Sequence, residues 1–289
     1  MFDSIAEIIP YQKINLDSPL HLTVKRLDMI HPEISGNKFY KLKYNLQKAK
    51  KLEAHCLITF GGAYSNHIAA TAYAAHLFGF QSIGIIRGEE LIHQPLNHTL
   101  ATAQKFGMTF DFVSREKYRQ RNDPIFLEQL KTTYPESYII PEGGTNHLAI
   151  QGCKEILTSQ DQLDYDYICC AVGTGGTISG IIEASNERQK ILGFSALKGN
   201  FQKYDVQRWT QKINWNITDD YCFGGYAKFS AELHQFIGDF EDLYHIPLDP
   251  VYTGKMMYGI MDLISKNYFP KHSRILIIHS GGLQGKISR

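Results

Sequence analysis

The sequence has no run of 18 apolar residues, the length a helix needs to cross a bilayer, so no membrane partner is expected. Its five cysteines, Cys56, Cys153, Cys169, Cys170 and Cys222, include no CxxC pair and no Cys/His cluster with zinc spacing. Metal sites are therefore not expected, and an odd cysteine count in apolar settings favours reduced thiols in a cytoplasmic protein. Charge of either sign is scarcely in excess. A formal net charge of +1 gives no global electrostatic case for nucleic acid. The opening MFDSIAEIIP lacks the basic start and long apolar stretch of a secretory signal. Internal repeats and low-complexity segments are absent. What is present is ordinary for a soluble globular chain: 289 residues, 43% hydrophobic and 20% charged. That length suits one large domain or two modest ones.

The middle of the chain alternates short apolar runs with helical patterns. CLITF (56–60), QSIGIIRG (81–88), MTFDFVS (108–114) and ESYIIP read as strands. The Ala-rich IAATAYAAHLFG, LNHTLATAQKFG (96–107) and RNDPIFLEQLKTTYP (121–135) read as helices between them. The last of these is entered through Asp123 as a cap and Pro124 in the first turn. Strand–helix–strand repetition of this length predicts crossover units on a parallel sheet. A second set follows. DYICCAV (166–172) is apolar throughout, as a strand covered on both faces should be, with Cys169 and Cys170 on opposite faces. ILGFSAL (191–197) and RILII are further strands, 226–239 and the end of 249–265 are helical, and 198–225 is read as irregular. The expected architecture is α/β with two open parallel-sheet lobes. Residues 50–148 form a small domain, while 1–49 and 149–289 form a larger one.

Four glycine loops follow apolar strands: GGAYSNH (61–67), GGTNH (143–147), GTGGT (173–177) and SGGLQG (280–285). In a parallel α/β sheet such loops share the carboxyl edge, where ligands bind. The loop Gly173-Thr174-Gly175-Gly176-Thr177 opens a helix. Its N–H groups and threonine hydroxyls can cradle a phosphate, or it can serve as a tight turn with a helix cap. It has neither the GxxxxGK[ST] spacing of a P-loop nor the GxGxxG spacing of a dinucleotide fingerprint. Ser65 is either a plain helix cap or, with Asn66 and His67, a set of donors and acceptors for a carboxylate or a ring oxygen.

The stretch GNKFYKLKYNLQKAKKL places Lys38 in the first turn of a helix, where a cation opposes the helix dipole. Lys38 and Lys41 are three apart and share a face, whereas Lys43, Lys48, Lys50 and Lys51 suit solvent. A solvated lysine is the commoner fate, but a desolvated one loses its proton more readily and can form a Schiff base.

The motifs GNKFYKL, GGAYSNH, EGGTNHLAIQG, AVGTGGTISG, DPVYTGKMMYG and HSGGLQG occur in one order over residues 30–285. With them the chain resembles the pyridoxal-phosphate enzymes of the tryptophan-synthase-β type. Within these it is similar to the family of 1-aminocyclopropane-1-carboxylate (ACC) deaminase and D-cysteine desulfhydrase. The resemblance implies that Lys38 carries the cofactor covalently and later moves protons, and that Lys41 lies near the phosphate. It implies that Ser65, Asn66 and His67 grip the substrate carboxylate, with Asn66 also reaching the ring hydroxyl. Gly173, Thr174, Gly175, Gly176 and Thr177 correspond to the phosphate cradle. Tyr252 corresponds to an active-site tyrosine by the ring, Tyr226 to a second one on the substrate side, and Ser280 to a hydroxyl near the pyridine nitrogen. A homodimer is the usual assembly.

The implied activity releases ammonia and a 2-oxo acid from a small amino acid, with Lys38 as general base and Ser65 as possible helper. ACC has no α-proton, and the resemblance associates its ring opening with a glutamate directly after the motif tyrosine. Here Thr253 follows Tyr252, which favours β-elimination from a D-cysteine-like substrate over ACC deamination. The family usually has arginine where Tyr40 and Ala69 stand, and glutamine where Tyr64 stands. A relative with another outcome, such as racemisation, dehydration or β-replacement, stays open, as does a cofactor-binding protein without catalysis. A module using GTGGT for a nucleotide is the reading from a different class.

Overall fold

The computed structural model describes residues 1–199 and 201–285. Ten strands run as β1 Tyr11–Ile14, β2 His21–Lys25, β3 Cys56–Gly61, β4 Gln81–Arg87, β5 Met108–Val113, β6 Ser137–Ile140, β7 Tyr167–Val172, β8 Lys190–Ser195, β9 Trp215–Thr218 and β10 Arg274–Ile278. The helices are α1 Asn37–Lys51, α2 Asn66–Phe78, α3 His98–Lys105, α4 Arg115–Arg119, α5 Pro124–Thr133, α6 His147–Lys154, α7 Ser159–Asp164, α8 Gly176–Ala184, α9 Phe201–Gln207, α10 Ala231–Tyr244 and α11 Thr253–Ser265.

Two sheets divide these strands. A four-stranded sheet, ordered β5-β4-β3-β6 and wholly parallel, uses only residues between 56 and 140. A six-stranded sheet, ordered β1-β2-β10-β7-β8-β9, takes strands from both flanks of that stretch. All its pairs are parallel except β1 with β2. The fold is thus the two-sheet α/β arrangement expected from the alternating pattern, with one antiparallel edge strand added.

Strand β7 shows why the core sits where it does. Every residue in it is buried, and alternate side chains enter different cores. Ile168, Cys170 and Val172 join Leu42, Leu46 and Ile181 on one face. Tyr167, Cys169 and Ala171 join Ile237, Met256 and Ile260 on the other. A strand covered on both faces cannot alternate polar and apolar residues, which explains the unbroken run YICCAV. All five cysteines are buried and free.

Two segments differ from the sequence reading. Residues 198–225 are not irregular throughout: they contain α9 and the edge strand β9. Propensity missed both because each is short and held by tertiary contact. Val206 of α9 lies 3.0 Å from a Cβ built on Gly175, and β9 pairs in parallel with β8, Trp215 opposite Ile191 and Thr218 opposite Phe194. The helix expected over 226–239 begins later, at Ala231. Ala227 has φ 55°, outside the helical region, and the Ser230 side chain accepts the Leu233 N–H and fixes the new start.

Candidate active site

All four glycine loops extend parallel strands at their carboxyl ends, so the topology aims them at one cleft. The start of α1 lies against them. Asn37 N–H donates to the Ser280 carbonyl at 3.1 Å. Gly36 precedes it with φ 67°, and a Cβ there would stand 2.0 Å from that same carbonyl oxygen. Only glycine permits this approach, which brings the residue after Asn37 to the cleft floor.

That residue is Lys38. Its Nζ donates 2.9 Å to Asn37 Oδ1, and Asn37 Nδ2 donates 2.7 Å to Thr177 Oγ1. Two hydrogen bonds thus join the amine to the GTGGT loop. Although part of Lys38 reaches solvent, burial is the largest influence on its amine. The pKa falls to about 8, against a smaller opposing pull from Cys153 and Asp249. Lys41, on the same face and 2% exposed, reaches deeper. Its Nζ donates to the Gly143 carbonyl (2.7 Å), Thr145 Oγ1 (2.9 Å) and Thr174 Oγ1 (3.3 Å). Burial, and then the charge of Lys38, lower its pKa to about 7. Lys41 therefore ties the 143–145 loop to the 173–177 loop, and the hydroxyls of Thr145 and Thr174 lie 2.6 Å apart.

Gly175, in the left-handed region with φ 80°, is the N-cap of α8 and lets the chain turn from β7 into the helix. The first N–H groups of α8 point outward without intrahelical partners, as helix geometry requires. Thr177 and Thr174 add hydroxyls beside them.

Ser65, Asn66 and His67 start α2 and behave differently from one another. Ser65 caps the helix, accepting the Ile68 N–H at 3.4 Å. Asn66 Nδ2 donates to the Gly282 carbonyl at 3.4 Å, while its Oδ1 is buried without a partner. His67 is 1% exposed, and its ring turns toward the sheet. Nε2 lies 2.9 Å from Thr59 Oγ1, whose own proton goes to the Ile140 carbonyl. Nε2 must then carry the hydrogen, which leaves Nδ1 a bare acceptor, buried and unpartnered. Burial and the charges of Lys38 and Lys41 hold the His67 pKa well below its ordinary value, so the ring is neutral.

Across the cleft, Tyr252 is the N-cap residue of α11. A Cβ on Gly173 would stand 3.1 Å from its Cε1, so the ring lies directly on the 173–177 loop. Burial raises its hydroxyl pKa well above 10, and the neighbouring Tyr226 adds to the rise. The rings of Tyr226 and Tyr252 stand 6.2 Å apart at 65°. Ser280, 9% exposed, completes the floor where β10 ends. The structure thus gathers all the site residues expected from the sequence around one cleft. The His67 ring is held between Thr59 and the 143–145 loop, where a Cβ on Gly144 would stand 3.0 Å from its Cε1.

Several residues there escaped sequence reasoning. Asn37 relays between Lys38 and Thr177. Thr145 receives Lys41. Asp249, 2% exposed, accepts N–H bonds from Val251, Tyr252 and Thr253, each at 2.9 Å, and the Thr253 hydroxyl at 2.7 Å. His279 is wholly buried, with Nε2 2.7 Å from the Pro247 carbonyl and Nδ1 3.1 Å from Asp28 Oδ1. Each lies inside or beside a recognised motif, which was the available signal, but only three-dimensional contact reveals its task. His147 packs its ring on Trp209 at 4.7 Å, and Asn146 caps the helix that His147 opens. Tyr40 and Ala69 are core residues, 6% and 4% exposed, and Tyr64 projects into solvent.

These groups fit pyridoxal phosphate. An amine with a lowered pKa suits its aldehyde, and a helix N-terminus with two threonine hydroxyls suits its phosphate. The orphaned Asn66 Oδ1 supplies an acceptor for a ring hydroxyl.

Comparison with known proteins bears on the same point. Residues 6–281 match the family described as pyridoxal-phosphate dependent enzyme. A Thermotoga maritima protein with the provisional name 1-aminocyclopropane-1-carboxylate deaminase is 32% identical, over 92% of this chain and 89% of its own. An Arabidopsis thaliana protein named bifunctional D-cysteine desulfhydrase/1-aminocyclopropane-1-carboxylate deaminase, mitochondrial, is 31% identical, over 93% of this chain and 74% of its own. The crystal structure of an ACC deaminase homologue superposes with a TM-score of 0.85 at 27% identity, covering 98% of this chain and 92% of that one. With the fold, the loops and nearly the whole length in agreement, the chain belongs to the pyridoxal-phosphate dependent enzyme family, among relatives named for ACC deaminase and D-cysteine desulfhydrase.

Proposed function

We propose that the protein releases ammonia and a 2-oxo acid from a small amino acid, with D-cysteine the best substrate: D-cysteine and water give pyruvate, sulfide and ammonia. The observation carrying this reading is the Lys38 amine, desolvated and linked through Asn37 to Thr177. When bound, pyridoxal phosphate supplies an aldehyde for amines and a ring that takes up negative charge developing at the substrate α-carbon.

The chain's own residues do the rest. Lys38 would hold the cofactor through its Nζ, and the same Nζ would accept the substrate α-proton. Gly173 to Thr177 and the first turn of α8 would hold the phosphate, with Lys41 bracing the loop through Thr174. The Ser65 hydroxyl and the unpaired N–H groups at the start of α2 bind the substrate carboxylate, where the positive end of the helix favours an anion. The part of His67 in this grip is its backbone, since its ring is pinned to Thr59. Asn66 orients the ring hydroxyl. Tyr252 would flank the cofactor ring, Tyr226 would stand on the substrate side, and Ser280 would offer its hydroxyl to the pyridine nitrogen.

Thr253 separates the two named chemistries. It is wholly buried and spends its hydroxyl on Asp249. It supplies no acid to protonate the pyridine nitrogen, and the hydroxyl of Ser280 does not do so comparably. This supports β-elimination from a substrate with an α-proton. ACC deamination is the second reading, favoured by the names of the relatives. A cytosolic homodimer belongs to the same proposal, supported by five buried free thiols and by family habit.

The test adds D-cysteine, L-cysteine, D-serine and ACC in turn to the holoenzyme, following its spectrum, sulfide and 2-oxo acid. D-cysteine is expected to give all three signals. Turnover of ACC alone would reverse the preference, and no spectral response to any amino acid would defeat the enzyme reading.

A further inference from the structure

Lys255 is a buried cation that neither the motif roles nor the reaction uses. It is 1% exposed, in the first turn of α11, three residues after Tyr252. Its Nζ donates to two backbone carbonyls, Cys222 and Gly225, each at 2.8 Å. Among the described residues it forms no ion pair with a carboxylate. Burial lowers its pKa, with Cys222 and Asp249 pulling the other way. A desolvated amine held only by carbonyls is costly to the fold, so its retention calls for a local return.

The turn it grips is itself strained. Phe223, Gly224, Gly225 and Ala227 have φ of 50°, 87°, 116° and 55°, and two of these are not glycine. Side chains with a Cβ enter this region only when their surroundings hold them there. Within the turn, Gly225 N–H donates to the Cys222 carbonyl (2.9 Å) and Lys228 N–H to the Gly225 carbonyl (3.2 Å). These are the same two carbonyls that Lys255 binds. The residue between the left-handed Gly225 and Ala227 is Tyr226, whose ring meets Tyr252.

We infer that Lys255 is a positioning residue, clamping the strained 222–227 turn to the start of α11 and thereby holding Tyr226 against Tyr252 at the substrate side of the cleft. This rests on the reading of the cleft given above. The clamp joins the two tyrosines through one rigid turn of helix, so both move together or not at all. The flanks of the turn have other anchors: Tyr221 Oη donates to Asp262 at 2.6 Å, and the Phe223 ring meets Tyr258 at 5.0 Å. Removing the amine is therefore expected to loosen the turn without unfolding the lobe.

The experiment uses holoenzyme carrying Lys255→Met, which keeps the stem and removes the donors. Hydrogen exchange at the amides of Gly225 and Lys228, whose N–H groups are bonded within the turn, is expected to quicken about tenfold or more, while amides at the end of α11 stay as in the wild type. Unchanged exchange in the turn overturns the clamp. Turnover is then measured with whichever of D-cysteine and ACC the wild type accepts. KM is expected to rise about tenfold with a smaller change in kcat, and Lys255→Met with Tyr226→Phe to be no worse than Tyr226→Phe alone. Losses that multiply overturn the link to Tyr226. If Lys255→Met does not fold, Lys255→Gln, keeping one donor pair, is expected to show intermediate exchange, and wild-type exchange there counts against the clamp. A wild type that turns over neither substrate sinks the proposed function instead, while the exchange arm still decides the clamp.

Discussion

The lowered pKa of Lys38 has a consequence measurable before any substrate is known. Only the neutral amine attacks an aldehyde. With a pKa of about 8, roughly one quarter of Lys38 is neutral at pH 7.5, whereas an ordinary lysine near 10.5 is neutral in roughly one part per thousand. Stripping the cofactor and adding it back across pH 6 to 10 exposes the difference. The rate of reconstitution, read from the absorption of the bound cofactor and divided by that of a simple amine in the same buffer, is expected to exceed the ordinary-lysine value by a factor on the order of 10² at pH 7.5. The uncorrected rate should climb about tenfold per pH unit below 8 and level off above it. Lys38→Ala should show no such band and no turnover at any pH. A rate that keeps climbing to pH 10 would refute the argument, because the amine would then be solvated. An unchanged band in Lys38→Ala would remove Lys38 from the chemistry altogether.

Two further outcomes follow from the geometry. Gly36→Ala forces a Cβ to within 2.0 Å of the Ser280 carbonyl at a positive φ, and should cost about 3 kcal/mol or more in urea unfolding of the apoprotein while weakening cofactor retention. A loss under about 0.5 kcal/mol would mean that this close approach does not matter. Lys41 has a folded pKa of about 7, below the unfolded 10.5. Between those values the unfolded chain binds the extra proton, so apoprotein stability should gain a rising component as pH climbs from 7 to 10. Lys41→Met should flatten that rise, and an identical pH slope in the variant would show that the amine is not desolvated.

Much of this was legible in the chain itself. Short apolar runs alternating with helical patterns point to a parallel α/β fold, because a strand as apolar as YICCAV fits where both faces of the sheet are covered. The cofactor class was legible through the resemblance of six ordered motifs to a known family, while spacing alone left Lys38 solvated or reactive and the glycine loop a turn or a cradle. The elements of 198–225 were not legible: α9 and β9 are too short for periodicity and depend on Gly175 and on pairing with β8 for support. Nor could spacing show that His67 turns its ring toward Thr59, or that Thr253 is consumed by Asp249.

The sequence by itself determined which residues could do chemistry and the kind of scaffold that carries them, because backbone preference and apolar pattern act over a few neighbours. Tertiary structure alone decided what each of those residues experiences. The pKa of Lys38, the tautomer of His67 and the grip of Lys255 on a distant turn all arise from desolvation and from partners far away along the chain, Asp249 beside Lys38 among them. Electric fields and lost water depend on distance in space, which a linear order does not record.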